Sequence, residues 1–365
     1  MVKVILNLII VFFLFVFLIN CNVKKENDYI NDKYPLQKPQ SNTIINIDEV
    51  KEIDTINAKM IWNNNDNKKN LFEHILFFQN GPDSTLLLLD LKGKIVQLSQ
   101  EGKYIKQIGE KGSGPGEYID PVYMTFANNK IFIADPPNNR IEVLNANEEY
   151  LYHIDKMIIG DMRKRFAVGP NDIIIGRTLE RDHDLIVVID SLGNVIRKFG
   201  DYIPYGYNIY QQVNYNNMSI FYDNNTNTIY CVFENIPIIR KYNLSGEFIE
   251  EIKFVGNKSL KNYFDGFNEE LHKNFEAATK KIPSFSSCLF VKMAYYYNGR
   301  LVLNSIYENK SCIYVLNVEK NRPFIERILI PSEKDKNIFF YCSILCYDKL
   351  FITSYNNSIY KQMYK

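Results

Sequence analysis

The chain has 365 residues and a mass of 42.8 kDa, with 46% hydrophobic and 23% charged residues, which excludes wholesale disorder and a polytopic membrane protein. Its 43 Lys and Arg balance 42 Asp and Glu, and a formal net charge of +1 gives no global field to draw in nucleic acid, so none is expected as a partner. The four histidines, His74, His153, His183 and His272, lack metal-ligand spacing, so no metal and no other cofactor is expected.

At the N-terminus Lys3 precedes an apolar run over residues 4–18, interrupted only by Asn7, and Cys21 follows it. A positive start and an apolar stretch mark an export signal. The cysteine points to a lipoprotein signal peptide over residues 1–20, with cleavage leaving Cys21 as the lipid-attachment residue. The alternative is an uncleaved membrane anchor, because the run is nearly long enough to span a bilayer. Either reading places the rest of the chain outside the cytoplasm, at the cell envelope. Residues 21–43, rich in Asn, Lys, Asp and Pro, read as a flexible tether. The other cysteines, Cys231, Cys288, Cys312, Cys342 and Cys346, form no zinc or redox spacing and are expected as buried free thiols.

From there to the C-terminus one pattern recurs: short β-rich runs separated by Asn/Gly turns. The third and fourth runs of each unit align best, at residues 94–108, 140–154, 184–198, 238–249, 311–320 and 358–364. Six copies, spaced mostly about 45–55 residues apart with four short strands each, predict an all-β, six-bladed β-propeller over residues 44–365. The gap between the fourth and fifth copies is longer. In residues 257–287, Phe264, Phe267, Leu271, Phe275 and Ala278 recur at helical spacing, so an amphipathic helix is expected as an insertion between blades 4 and 5. The last copy has only three strands. Residues 44–53 alternate as a strand should and are expected to close that blade as its outer strand.

Residues 109–118, Asp120-Pro121 and residues 131–141 resemble an NHL-type repeat. More narrowly, they are similar to the six-bladed propeller lipoproteins of Bacteroidetes-type bacteria. The resemblance implies a cell-envelope lipoprotein of the propeller class, a group whose members mostly lack an assigned activity.

Few residues suggest chemistry. The Gly112-Ser113-Gly114-Pro115-Gly116 stretch lacks the Gly-Lys-Ser/Thr ending of a phosphate loop and reads as a crossover between blades. Asp135 and Arg140 flank the loop after the second strand of blade 2, where they can bind a polar ligand or brace the turn. The ends of the second strands form a column, Asp90, Asp135, Arg177, Phe233, Ser305 and Ser354, too mixed for a calcium-centred hydrolase site. The long segments 109–121, 200–212 and 257–287 all join one blade to the next and are expected on one face. The second holds Tyr202, Tyr205, Tyr207 and Tyr210.

The leading reading is a monomeric, lipid-anchored propeller without a catalytic residue, binding a glycan, peptide or envelope protein. Tyr205, Tyr207, Arg177, Asp135 and Arg140 are the candidate contacts. The alternative is a propeller enzyme, a lactonase-like hydrolase or a lyase, working in the central channel. The discriminating feature is a cluster of acids and histidines in that channel.

Overall fold

Strict alternation in the strands builds this molecule. In the strand Leu86–Asp90, Leu86 and Leu88 pack to one side and Leu87 and Leu89 to the other, into two different apolar clusters. Leu301 and Leu303 likewise part from Val302, and Ile174 from Ile175. A strand buried on both faces needs a sheet on either side, and a ring of sheets supplies one to every blade. The computed structural model describes residues 37–56, 58–63, 74–155, 166–178, 184–203, 216–256, 291–307, 310–319, 322–331, 340–346, 349–354 and 358–364.

Six sheets form the ring. Blade 1 is Ile75–Asn80, Leu86–Asp90, Ile95–Leu98 and Tyr104–Ile108, and blade 2 is Tyr123–Ala127, Lys130–Asp135, Arg140–Asn145 and Tyr150–Asp155. Blade 3 runs from Ala167–Val168 to Val195–Asp201, blade 4 from Met218–Asp223 to Phe248–Val255, and blade 5 from Met293–Tyr297 to Phe324–Pro331. Blade 6 holds Phe340–Cys346, Lys349–Ser354 and Ser358–Met363. The first strands touch in turn around the axis, and Phe340–Cys346 meets Ile75–Asn80 to complete the circle.

The N-terminal segment wraps three blades in sequence. Strand β1 (Ser41–Asn46) lies parallel to the outer strand of blade 4, with Ser41 opposite Glu250. Strand β2 (Ile53–Ile56) lies parallel to the outer strand of blade 5, with Ile53 opposite Ile328. Strand β3 (Lys59–Asn63) is the antiparallel fourth strand of blade 6, with Trp62 opposite Ile359. An N-terminal strand therefore closes the last blade, but residues 44–53 are not that strand. They add fifth strands to blades 4 and 5, and closure falls to residues 59–63. A short alternating segment suits any open sheet edge, so its pattern alone does not select the blade.

The third-to-fourth turns explain the sequence repeat. In blades 1 to 4 the first turn residue accepts a backbone hydrogen bond from the fourth, at Ser99–Gly102, Asn145–Glu148, Asp190–Gly193 and Asn243–Gly246. The first side chain then caps the turn: Asp190 Oδ1, for instance, accepts from the Leu192 and Asn194 backbone N–H groups at 2.9 and 2.8 Å. The first-to-second turns of blades 1 to 5 are tight hairpins. In blade 2 Asn128 and Asn129 both take positive φ, 50° and 58°, a conformation asparagine tolerates.

Among the described residues there is no α-helix, only short 3-10 turns, and none is long and apolar enough to cross a membrane. The helical insertion expected over residues 257–287 lies outside the described residues, as do the signal segment and Cys21. Cys231 and Cys312 are buried free thiols, and burial raises both well above the usual thiol range.

Candidate functional site

The second strands end on one face of the ring, the face on which the described crossover 109–121 enters blade 2. The described first-to-second and third-to-fourth hairpins share the other. A cavity of about 460 Å³ opens on the hairpin face, at the mouth of the central channel. That size falls within the range of small-molecule pockets, roughly 300–1,000 Å³.

Its walls are the ends of the first strands. Blade 1 contributes Phe77, Gln79 and Asn80, blade 2 contributes Tyr123, Thr125 and Phe126, and Phe166 leads into blade 3. Blade 4 adds Phe221, Tyr222 and Asp223, and blade 5 adds Tyr295, Tyr296 and Tyr297. Deep in the wall Tyr123 sits edge-on between Phe77 and Phe166, with ring centroids 4.8 and 4.9 Å away. These three rings are buried, whereas Phe126, Phe221, Tyr222 and Tyr295–Tyr297 are half-buried and offer surface to the cavity. Asn80 Nδ2 donates to the Tyr295 hydroxyl at 2.7 Å, joining blades 1 and 5.

The described lining carries no Lys, Arg or His and one carboxylate, Asp223. That carboxylate is engaged by the Asn225 backbone N–H at 3.0 Å and the Thr226 hydroxyl at 2.6 Å. Burial, and behind it Asp223, pushes the Tyr222 hydroxyl above its usual pKa. Burial does the same to Tyr296, helped by Tyr230 and Asp223. Both phenols stay protonated at neutral pH, so they act as donors and not as bases. Among the described residues no three His, Cys, Asp or Glu side chains are grouped to hold a metal ion.

The residues singled out from sequence lie elsewhere. Asp135 is fully buried and accepts from the Ile119 and Asp120 backbone N–H groups at 3.0 and 3.2 Å and from Asn138 Nδ2 at 2.6 Å. Arg140 donates to the carbonyls of Ser113, Gly114 and Glu117 at 3.1, 2.9 and 2.8 Å. Its Nε also lies 2.8 Å from Glu142 Oε2, a charge contact without hydrogen-bond direction. Burial holds the Glu142 carboxyl above its usual range, although the Gly116 N–H and Arg140 pull it down. Together Asp135, Arg140 and Glu142 pin the crossover 109–121 onto blade 2.

Arg177 is buried and donates to the Asn217 side-chain oxygen. Tyr202 is buried among the side chains between blades 3 and 4. Tyr205, Tyr207 and Tyr210 lie outside the described residues. The cavity residues went unread because the aligned column took the ends of the second strands. The available signal was the run Tyr295-Tyr296-Tyr297 immediately before the Asn298-Gly299 turn.

Blades 1 and 2 also carry the family likeness. Residues 83–162 match DUF5128, a family described as a 6-bladed beta-propeller. No match was found among curated proteins. A protein of Bacteroides fragilis NCTC 9343 described as exported shares the fold at 14% identity and a TM-score of 0.54, over 89% of this chain and 99% of that one. A member of the DUF4221 family from Bacteroides vulgatus ATCC 8482 is 14% identical, with a TM-score of 0.49 over 80% of this chain and 93% of its own. A catalytically inactive virginiamycin B lyase from Staphylococcus aureus, solved with quinupristin, is 14% identical, with a TM-score of 0.44 over 79% of each chain. At such identities a likeness concerns the fold alone.

Proposed function

We propose that this chain is a cell-envelope binding propeller that holds a neutral glycan in the cavity on its hairpin face, without a catalytic group of its own. The observation that carries the reading is the chemistry of the described lining: half-buried aromatic rings from three blades, interleaved with amides and hydroxyls, with no cationic side chain among them. Sugar rings present C–H faces that stack on aromatic rings and hydroxyls that pair with amides. A lactonase-like or lyase reaction calls for a free general base or a metal-binding cluster. The one carboxylate of the described lining, Asp223, is held by Asn225 and Thr226, and no three His, Cys, Asp or Glu side chains gather to hold a metal ion among the described residues.

The envelope location rests on the export segment and Cys21, and the exported Bacteroides fragilis protein of the same fold is in keeping with it. The test is calorimetric titration of the mature domain with neutral and acidic oligosaccharides. Neutral chains should bind, acidic ones more weakly, and Phe126→Ala should weaken binding about tenfold, the scale of one aromatic contact. A protein that binds no neutral oligosaccharide sinks the reading. Separately, Cys21→Ala should abolish fatty-acid labelling, and an unchanged label rules out lipidation at that cysteine.

A further inference from the structure

Two side chains consecutive in the cavity wall have polar atoms that no described residue satisfies. Gln79 is 4% exposed, and its Nε2 meets no acceptor. Asn80 gives its Nδ2 to Tyr295, while its buried Oδ1 meets no donor. Both residues line the cavity. Buried amide groups are rarely left unpaired, because desolvating them without a partner is costly. Gln79 also follows directly on the apolar run Ile75-Leu76-Phe77-Phe78 and lies opposite Leu87 of the apolar strand Leu86-Leu87-Leu88-Leu89 in the inner half of blade 1. An apolar side chain there would pack against Phe77 and Leu87 at no such cost.

We infer that Gln79 and Asn80 recognise the acetamido group of an N-acetylated amino sugar, an inference that rests on the glycan reading above. A secondary amide supplies one acceptor and one donor in a flat unit. Its carbonyl accepts from Gln79 Nε2, and its N–H donates to Asn80 Oδ1. Reversing both carboxamides exchanges donor and acceptor together, and a ligand amide turned end for end still pairs with both. The methyl of the acetamido group meets the rings of Phe77, Tyr123 and Phe166, which pack together in the wall of the same cavity. A sugar hydroxyl at that place brings no apolar group to those rings. The group must also be uncharged. The described lining has no cation to pair with a carboxylate or phosphate, and its one carboxylate is engaged by Asn225 and Thr226.

The test compares chitotriose with cellotriose, which share a backbone and differ in carrying acetamido or hydroxyl groups. Titration of the mature wild-type domain should show chitotriose binding about tenfold or more tighter. Gln79→Met keeps the side-chain length and removes the amide, so it should weaken chitotriose binding far more than cellotriose binding and erase most of that preference. A melting curve of the variant verifies that it folds, and the wild-type comparison stands without it. Equal affinity for the two sugars overturns the acetamido assignment and leaves the glycan reading intact. An N-acetylated, C-amidated trialanine that binds as tightly as chitotriose also overturns it, in favour of a peptide. Binding of neither sugar overturns both readings together.

Discussion

Asn80 of blade 1 reaches Tyr295 of blade 5 at 2.7 Å, although blade 6 separates the two sheets in the ring. Neighbouring blades hold one another through apolar clusters, but this bond ties inner strands that share no sheet interface. It also fixes the Asn80 carboxamide at the cavity wall. Tyr295→Phe removes the hydroxyl and leaves the amide without its acceptor. The expected loss is about 1 kcal/mol, read as a lower urea midpoint at unchanged slope. An unchanged midpoint means that the bond adds nothing to stability.

Closure can be read from a single fluorophore. Trp62 is the only tryptophan of the chain, lies in β3, and is 6% exposed among side chains of blades 6 and 1. Its emission should be blue-shifted in the native protein and move to the red when the ring opens. Trp62→Ala should cost about 3–5 kcal/mol, the scale for truncating a large buried ring. Removing the chain up to residue 56, which takes away β1 and β2 but keeps β3, should cost clearly less, because blades 4 and 5 keep four strands each. If that shorter truncation is as damaging as Trp62→Ala, closure does not rest on β3.

Much of this architecture was legible because each blade repeats a local rule. Ser99, Asn145, Asp190 and Asn243 open equivalent turns, and the residue three places on takes positive φ in each. Such signals lie within five residues and survive in sequence. The wrap of β1 and β2 does not, since a parallel pairing between Ser41 and Glu250 spans most of the fold and leaves only an alternation that several edges accept. The cavity was equally hidden. Asp135 and Arg140 look functional as isolated charged residues, yet three-dimensional contacts commit them to the crossover backbone. Gln79 reads as a blemish in an apolar strand until the ring places it beside Tyr123.

Acid should weaken one contact between blades 2 and 3. Asp172 of blade 3 accepts from the Lys130 ammonium, from the Tyr152 hydroxyl at 2.7 Å and from Asn128 Nδ2 at 3.1 Å. Burial raises its pKa, but these donors together outweigh burial and hold the carboxyl below 3.8. A carboxyl depressed in the folded state adds stability above its unfolded pKa and loses it as the pH falls through the folded value. Asp172→Asn should therefore cost roughly 1–2 kcal/mol at neutral pH. The gap between variant and wild type should shrink below about pH 4. A gap that is constant across that window assigns the effect to shape and not to charge.

One turn departs from its sisters, and restoring the common residue should strengthen the fold. Gly102, Gly193 and Gly246 occupy the fourth position of the third-to-fourth turns with φ of 80°, 82° and 85°, and blade 2 places Glu148 there at φ 70°. A side chain in that left-handed region costs about 1–2 kcal/mol relative to glycine. Against this stands the Glu148 contact with Lys106 at 3.0 Å, whose lysine is 46% exposed, a pair worth about 0–1 kcal/mol. Glycine also gains freedom in the unfolded chain, which offsets part of the relief. Glu148→Gly should raise stability by about 0.5 kcal/mol, measurable as a higher denaturation midpoint. The converse change at the neighbouring blade should fail. A Cβ on Gly193 would lie 2.7 Å from the Asp155 carbonyl oxygen, a backbone atom with little room to retreat. Gly193→Ala therefore combines a disfavoured φ with a clash and should cost about 2–3 kcal/mol. If both variants shift the midpoint in the same direction, backbone conformation does not govern these turns.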